Sequence, residues 1–165
     1  MKAADNTGMS VRADYRQFLA DDYLIIVVTS VLIGALPVMV RGHDRYLTLA
    51  VSLMTVFMLS VLVIRYAMLV CVRWSLEGEM LCRTSGVLSR KMDYIELYRI
   101  VDYKESRSFT QRLLGVKTVT IYSTDKSDAV SDIPGVPVDM DIVGMLREKV
   151  EESKRHRNIY EITNH

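Results

Sequence analysis

Residues 74–125 read WSLEGEMLCRTSGVLSRKMDYIELYRIVDYKESRSFTQRLLGVKTVTIYSTD, and the spacing of their apolar side chains decides the fold of the polar part of the chain. Trp74 and Leu76, with Val72 just ahead of them, alternate with Arg73, Ser75 and Glu77, the two-residue repeat of a half-buried strand. Glu77-Gly78 supplies a turn, and the run EMLCRTSGVL that follows stops at the polar break Ser89-Arg90-Lys91. MDYIELYRIVDYKE then reads as two further short strands or one bent one, and Val119 and Ile121 repeat the alternation in KTVTIYST. The Asp- and Ser-rich cluster TDKSDAVSD marks a turn before a last short strand near Val130 to Ile133. Strands about every ten residues, with no helix between them, mean an antiparallel barrel or sandwich and exclude a βαβ fold.

Past Pro134-Gly135 and Pro137 the period changes to that of a helix, with Ile142, Val143, Leu146 and Val150 on one face. Asp139 and Asp141 lie at its start, and Lys149, Lys154 and Arg155 lie toward its end, which suits the helix dipole. An amphipathic helix here packs on the barrel. The polar tail 153–165, SKRHRNIYEITNH, reads as a frayed helix end or a disordered extension.

Upstream, Tyr23 to Val40 is 18 residues without a charge and Tyr46 to Ile64 is 19. As helices these runs measure roughly 27 and 29 Å, against a hydrocarbon thickness of ~30 Å. A soluble remainder of about a hundred residues cannot cover two helices that are apolar all round, so both read as transmembrane spans. Some twenty polar residues precede the first run and no cleavage site follows it, which argues for an uncleaved anchor. Only RGHDR, residues 41–45, joins the spans, so they form an antiparallel hairpin over residues 22–70 with both termini on one side. Arg12, Arg16, Arg65, Arg73 and Arg83 on the terminal side outweigh Arg41 and Arg45 in the loop, which places the termini in the cytoplasm. Residues 1–21 form a polar N-terminal segment.

Three residues stand out as membrane anchors: Arg65, which interrupts the apolar run near its end and snorkels to headgroups, with Arg73 and Trp74 just beyond. Ser30 and Gly34 on the first span, and Thr48 and Ser52 on the second, are the small-residue pairs that let helices approach closely.

With 21 basic and 20 acidic residues the net charge is +1, which lacks the basic excess of a nucleic-acid binder. Cys71 and Cys82 cannot build a disulfide framework, and with the histidines they match no zinc spacing. His43, His156 and His165 lie in the hairpin loop and the tail, away from any nucleophile or acidic partner in a catalytic arrangement. No cofactor is expected, no glycine loop cradles a phosphate, and the spans offer no acidic or His ion path. The reading is non-enzymatic.

The stretch quoted above resembles the bacterial membrane pleckstrin-homology (PH) family, of the YdbS-like kind. The likeness rests on a tryptophan opening the first strand (Trp74), G-V-L after the second, I-x-L-x-R-I-x-D over Ile95 to Asp102, and Q-R-L-L-G-V from Gln111. It covers residues 70–152, about half the chain, and two membrane helices ahead of it fit as well. The resemblance implies a membrane α-helical hairpin followed by an α+β, mainly β, PH-like barrel over residues 71–152, capped by a C-terminal amphipathic helix. It also implies a bacterial cytoplasmic (inner) membrane address, and it brings no established biochemical activity.

Residues 83–117 carry eight basic and four acidic side chains, an excess of +4, whereas residues 118–145 carry one basic and five acidic, a net of −4. The domain is dipolar. Arg90, Lys91, Lys104, Arg107, Arg112 and Lys117, in the basic stretch, are the expected lipid or partner patch, and Arg99 with Asp102 is expected to form a charged pair that fixes a bend. The expected partners are the bilayer, and a protein or further copies of the chain held by an interaction or assembly scaffold. Recognition of an anionic lipid headgroup through the basic patch is the alternative, and nucleic acid is excluded.

Overall fold

The computed structural model describes residues 10–42, 44–125 and 129–157. His43, Lys126, Asp128 and His165, the middle of the TDKSDAVSD turn and residues 1–9 and 158–165 lie outside them. Two long helices, α1 (Tyr15–Arg41) and α2 (Arg45–Cys71), precede the polar module. At 27 residues each they extend roughly 40 Å, beyond the uncharged runs at the ends that carry the module. Both are long and apolar enough to cross a membrane, and almost none of their apolar surface is buried by the protein. Asp14 and Asp44 cap their N-termini, the carboxylates accepting from the Arg16 and Leu47 N–H groups.

The helices do not meet at Ser30 and Gly34. Both are exposed, and a side chain at Gly34 would point into open space. The seam instead buries Thr29 and Thr55, whose hydroxyls donate to the Ile25 and Val51 carbonyls of their own helices and so cost little to bury. Nearer the module, Phe18 packs edge-on against Tyr66 with ring centroids 5.4 Å apart, and Arg65 reaches across to Asp22.

A short strand, β1 (Ser10–Arg12), sits in the segment that the sequence reads as merely polar. Five more strands follow α2 in the expected places: β2 (Arg73–Glu77), β3 (Met80–Ser85), β4 (Lys91–Glu96), β5 (Ile100–Ser106) and β6 (Val116–Ser123). The last strand, β7, runs from Val130 to Pro137, longer than expected. A single 3-10 turn, Leu97–Arg99, divides MDYIELYRIVDYKE into two strands that join different sheets. All pairing is antiparallel, in one sheet ordered β1-β2-β3-β4 and another ordered β5-β6-β7. A short helix, α3 (Phe109–Leu114), interrupts the strand series, against the expectation of none. Ser108 and Gln111 cap each other at its start, and Gly115 closes it in the left-handed conformation at φ 71°.

The final helix, α4 (Ile142–His156), is capped by Asp141 and buries Ile142, Leu146, Val150 and Ser153. Together with Leu76, Leu81, Ile95, Ile121 and Ile133 from the inner faces of both sheets, and Leu97 from the 3-10 turn between them, it encloses one hydrophobic core. Trp74 belongs to that core at 2% exposure, with the Arg83 guanidinium over its ring. The anchor role expected of Trp74 therefore gives way to packing: β2 turns alternate residues inward, and Trp74 falls on the inward set.

Candidate functional site

The end of the module at which α1 begins and α2 ends gathers most of the expected patch. Its position follows from strand register. Arg73, two residues past α2, lies opposite Arg12 on one side and Thr84 on the other, and Ser85 lies opposite Lys91. The turn from Gly86 to Arg90 therefore projects from the same end as the helices, and β3 touches α2. Gly86 adopts φ +107°, and a Cβ there would overlap the Ser89 carbonyl, so the turn is tight and requires glycine. It carries Val87 and Leu88 at its tip, with Arg90 and Lys91 behind them.

At the other long helix, α3 packs against the first turns of α1. The Gln111 amide donates to Gln17 Oε1 at 2.9 Å and to Thr118 Oγ1 at 2.8 Å, and the Gln17 amide donates in turn to the Asp21 carboxylate at 2.9 Å. Both glutamines are buried. The residues of α3 that turn away from this contact are Phe109, Arg112 and Leu113, all exposed, with Arg107 just ahead of the helix. Gly135 of β7, at φ +70°, lies so close to Ala13, Asp14 and Gln17 that a side chain there would clash. The chain on both sides of the helix pair is thus fixed to the module.

The six basic residues do not form one surface. Arg90 and Lys91 stand at the β3–β4 turn, Arg107 and Arg112 around α3, and Lys104 farther along β5 opposite Thr120. Lys117 is buried at 4% exposure on β6, its Nζ 2.6 Å from Glu105, so it leaves the patch and becomes an internal ion pair. Lys91 lies 3.0 Å from Asp93. Exposed Arg12 and Arg73, neighbours across β1 and β2, add to the positive charge at the helix end. Arg16 is there too, its guanidinium held further toward the charged form by Tyr15 and by the Asp14 and Asp139 carboxylates.

Arg99 and Asp102 do not pair. The Arg99 guanidinium lies 2.8 Å from Glu96 and 3.5 Å from Asp125, and Asp102 accepts instead from the Tyr103 N–H. The 3-10 turn sets Glu96 and Arg99 on one side, where a hydrogen bond from Tyr98 and the Arg99 charge keep the Glu96 carboxyl below its usual range. At the same far end, Arg157 bonds Glu79 at 3.2 Å and stacks on Tyr98. Arg65, expected to snorkel to the headgroups, is half-exposed with its Nε 2.5 Å from the buried Asp22 carboxylate.

The outer face of the first sheet presents Met80, Met92 and Tyr94, each about half-exposed, and β4 is an edge strand. Among the described residues there is no cluster of His, Cys, Asp and Glu able to hold a metal ion. A family model described as bacterial PH domain matches residues 23–154, from the first apolar run through α4. Comparison with curated proteins and with solved structures found no match.

Proposed function

This chain belongs to the bacterial PH-domain family, and we propose on that footing that it is a non-enzymatic, two-pass protein of the cytoplasmic membrane. In this reading the PH-like module is held at the inner surface as a scaffold for a protein partner or for further copies of itself. The observation that carries the reading is the double attachment of the helix pair. β1, before the first helix, pairs with β2, after the second, and Gln17 of α1 bonds Gln111 of the module. A flexible linker lets a tethered domain tumble, whereas this junction fixes which faces look at the membrane and which look away.

Tethering raises the effective concentration of a weak module toward membrane partners, so a modest surface suffices for function. The Met80, Met92 and Tyr94 face and the β4 edge offer such a surface, apolar and with unpaired backbone groups. The excess of arginines on the terminal side supports cytoplasmic termini. The test is purification of the full-length chain from native membranes under mild conditions, followed by mass spectrometry. The reading expects a protein, or the chain itself, bound at stoichiometric levels and released by Tyr94→Asp. A preparation that is monomeric, with only lipid bound, opposes the scaffold.

A further inference from the structure

We propose that the helix-proximal end of the module is a bilayer-docking face. Val87 and Leu88 at the β3–β4 tip, and Phe109 and Leu113 on α3, enter the headgroup layer, one pair beside each long helix. Arg90, Arg107 and Arg112 then lie against anionic headgroups. This inference rests on the membrane-anchored reading above and specifies how the module sits on its membrane.

Outside the two long helices, Leu88 (102%), Phe109 (82%) and Leu113 (79%) are the most exposed large apolar side chains among the described residues. Such exposure is unfavourable in water unless a partner covers it. The three are not scattered. Leu88 tips a turn of the strand that touches α2, and Phe109 and Leu113 lie on the helix that packs on α1, so one apolar prong flanks each long helix at the same end. Phe109, Arg112 and Leu113 share one face of α3 because residues three and four apart are neighbours on a helix, and Gln111 takes the opposite face into the module.

Register agrees with this placement: Arg73 lies opposite Thr84 and Ser85 opposite Lys91, so the Gly86–Arg90 turn starts level with the end of α2, on the strand that touches it. The charge pattern selects the occupant. Lys91 and Lys117 are engaged by Asp93 and Glu105, while Arg90, Arg107 and Arg112 stand exposed next to the apolar tips. Apolar tips ringed by arginines fit an anionic interface, where the tips cross the headgroups and the guanidinium groups remain among the phosphates.

The test uses the full-length chain in vesicles of phosphatidylcholine with added phosphatidylglycerol, in which some acyl chains are brominated to quench nearby tryptophan. Trp74 is the single tryptophan and is buried in the core, so the unaltered protein sets the baseline. Leu88→Trp and Phe109→Trp add a reporter at each prong, and Glu148→Trp adds one on the exposed surface of α4. The reporters at 88 and 109 are expected to be quenched by the brominated lipid several-fold more than the one at 148, and to be shielded from aqueous acrylamide. Replacing phosphatidylglycerol by phosphatidylcholine, or Arg112→Glu in the Phe109→Trp background, is expected to reduce the quenching at 109. An unchanged thermal midpoint for each variant shows that the module remains folded. If reporters 88 and 109 meet acrylamide as freely as reporter 148 while the protein resists alkaline extraction from the vesicles, the docking face is overturned and the anchor stands. If alkaline extraction releases the protein, the anchor itself fails.

Discussion

The contact between Gln17 and Gln111 makes a quantitative prediction about the junction between the helices and the module. The two residues are 3% and 5% exposed and joined by one hydrogen bond of 2.9 Å. Gln111→Ala removes that bond, the bond to Thr118, and the carbonyl that accepts from the Ser108 N–H at 2.8 Å. At a net ~1 kcal/mol each, the loss is about 3 kcal/mol. Gln17→Ala removes the shared bond and the bond to Asp21, about 2 kcal/mol. Because the shared bond can be lost only once, the double variant is expected to cost about 4 kcal/mol, with a coupling of about 1 kcal/mol between the two sites. Thermal unfolding of the full-length protein in nanodiscs, followed by Trp74 emission, reads all three variants. For a module of this size, Gln111→Ala is expected to lower the midpoint by about 12 °C or more. If the two substitutions add within ~0.5 kcal/mol, the glutamines do not bond and the rigid junction is wrong.

Three further predictions concern the module. Trp74→Ala empties the space of a 2%-exposed indole and is expected to cost about 3–5 kcal/mol, read as loss of the cooperative transition in circular dichroism, whereas Trp74→Phe leaves a shallower and still cooperative one. For the internal ion pair, Glu105→Ala strands the buried Lys117 ammonium and is expected to be more destabilising than Lys117→Met, which removes the charge and keeps most of the volume; denaturation of the two variants side by side checks the order. Burial pushes the Tyr103 phenol up to about 12 from its ordinary value of 10.0. Its neutral form is favoured by folding, so its contribution is complete below about pH 10 and is lost as the pH rises toward about 12. Tyr103→Phe is expected to blunt that alkaline loss at little cost at neutral pH, since among the described residues the hydroxyl has no hydrogen-bond partner; a pH series of melting curves for both proteins decides it.

The long helices, the strand series after Val72 and the amphipathic face of α4 were legible because each carries a periodic signal many residues long. β1 was not. Its three residues SVR hold one apolar side chain, Val11, and become a strand only by pairing with β2 some sixty residues away in sequence. α3 was hidden for a related reason: six residues make under two turns, its inward residue is a glutamine, and its large apolar residues Phe109 and Leu113 are exposed. The signal that points to it is local, the Ser108 to Gln111 capping box followed by Gly115.

For the surface, the sequence located the basic stretch but not the fate of each charge. Lys117 follows the alternation of β6 inward and meets Glu105 from the neighbouring strand, a pairing that depends on register. Arg99 is near Asp102 in sequence, yet the 3-10 turn aims it at Glu96, and Asp125 approaches from the end of β6. On α1 the seam buries Thr29 and not the neighbouring Ser30, because a small-residue spacing does not say which face of a helix meets its neighbour, whereas on α2 Thr48 does reach α1, its hydroxyl donating to the Met39 carbonyl at 3.4 Å.

A membrane-impermeant thiol reagent applied to intact cells shows whether the helix pair crosses the membrane with the module inside. Two full-length variants are compared in a background in which Cys71 and Cys82 are replaced: Arg45→Cys at the hairpin loop and Glu148→Cys on α4. The position 45 variant is expected to be labelled from outside, and the position 148 variant only after the membrane is permeabilised. Both positions reacting on the same side would contradict the crossing, and the reverse pattern would keep the crossing and contradict the orientation.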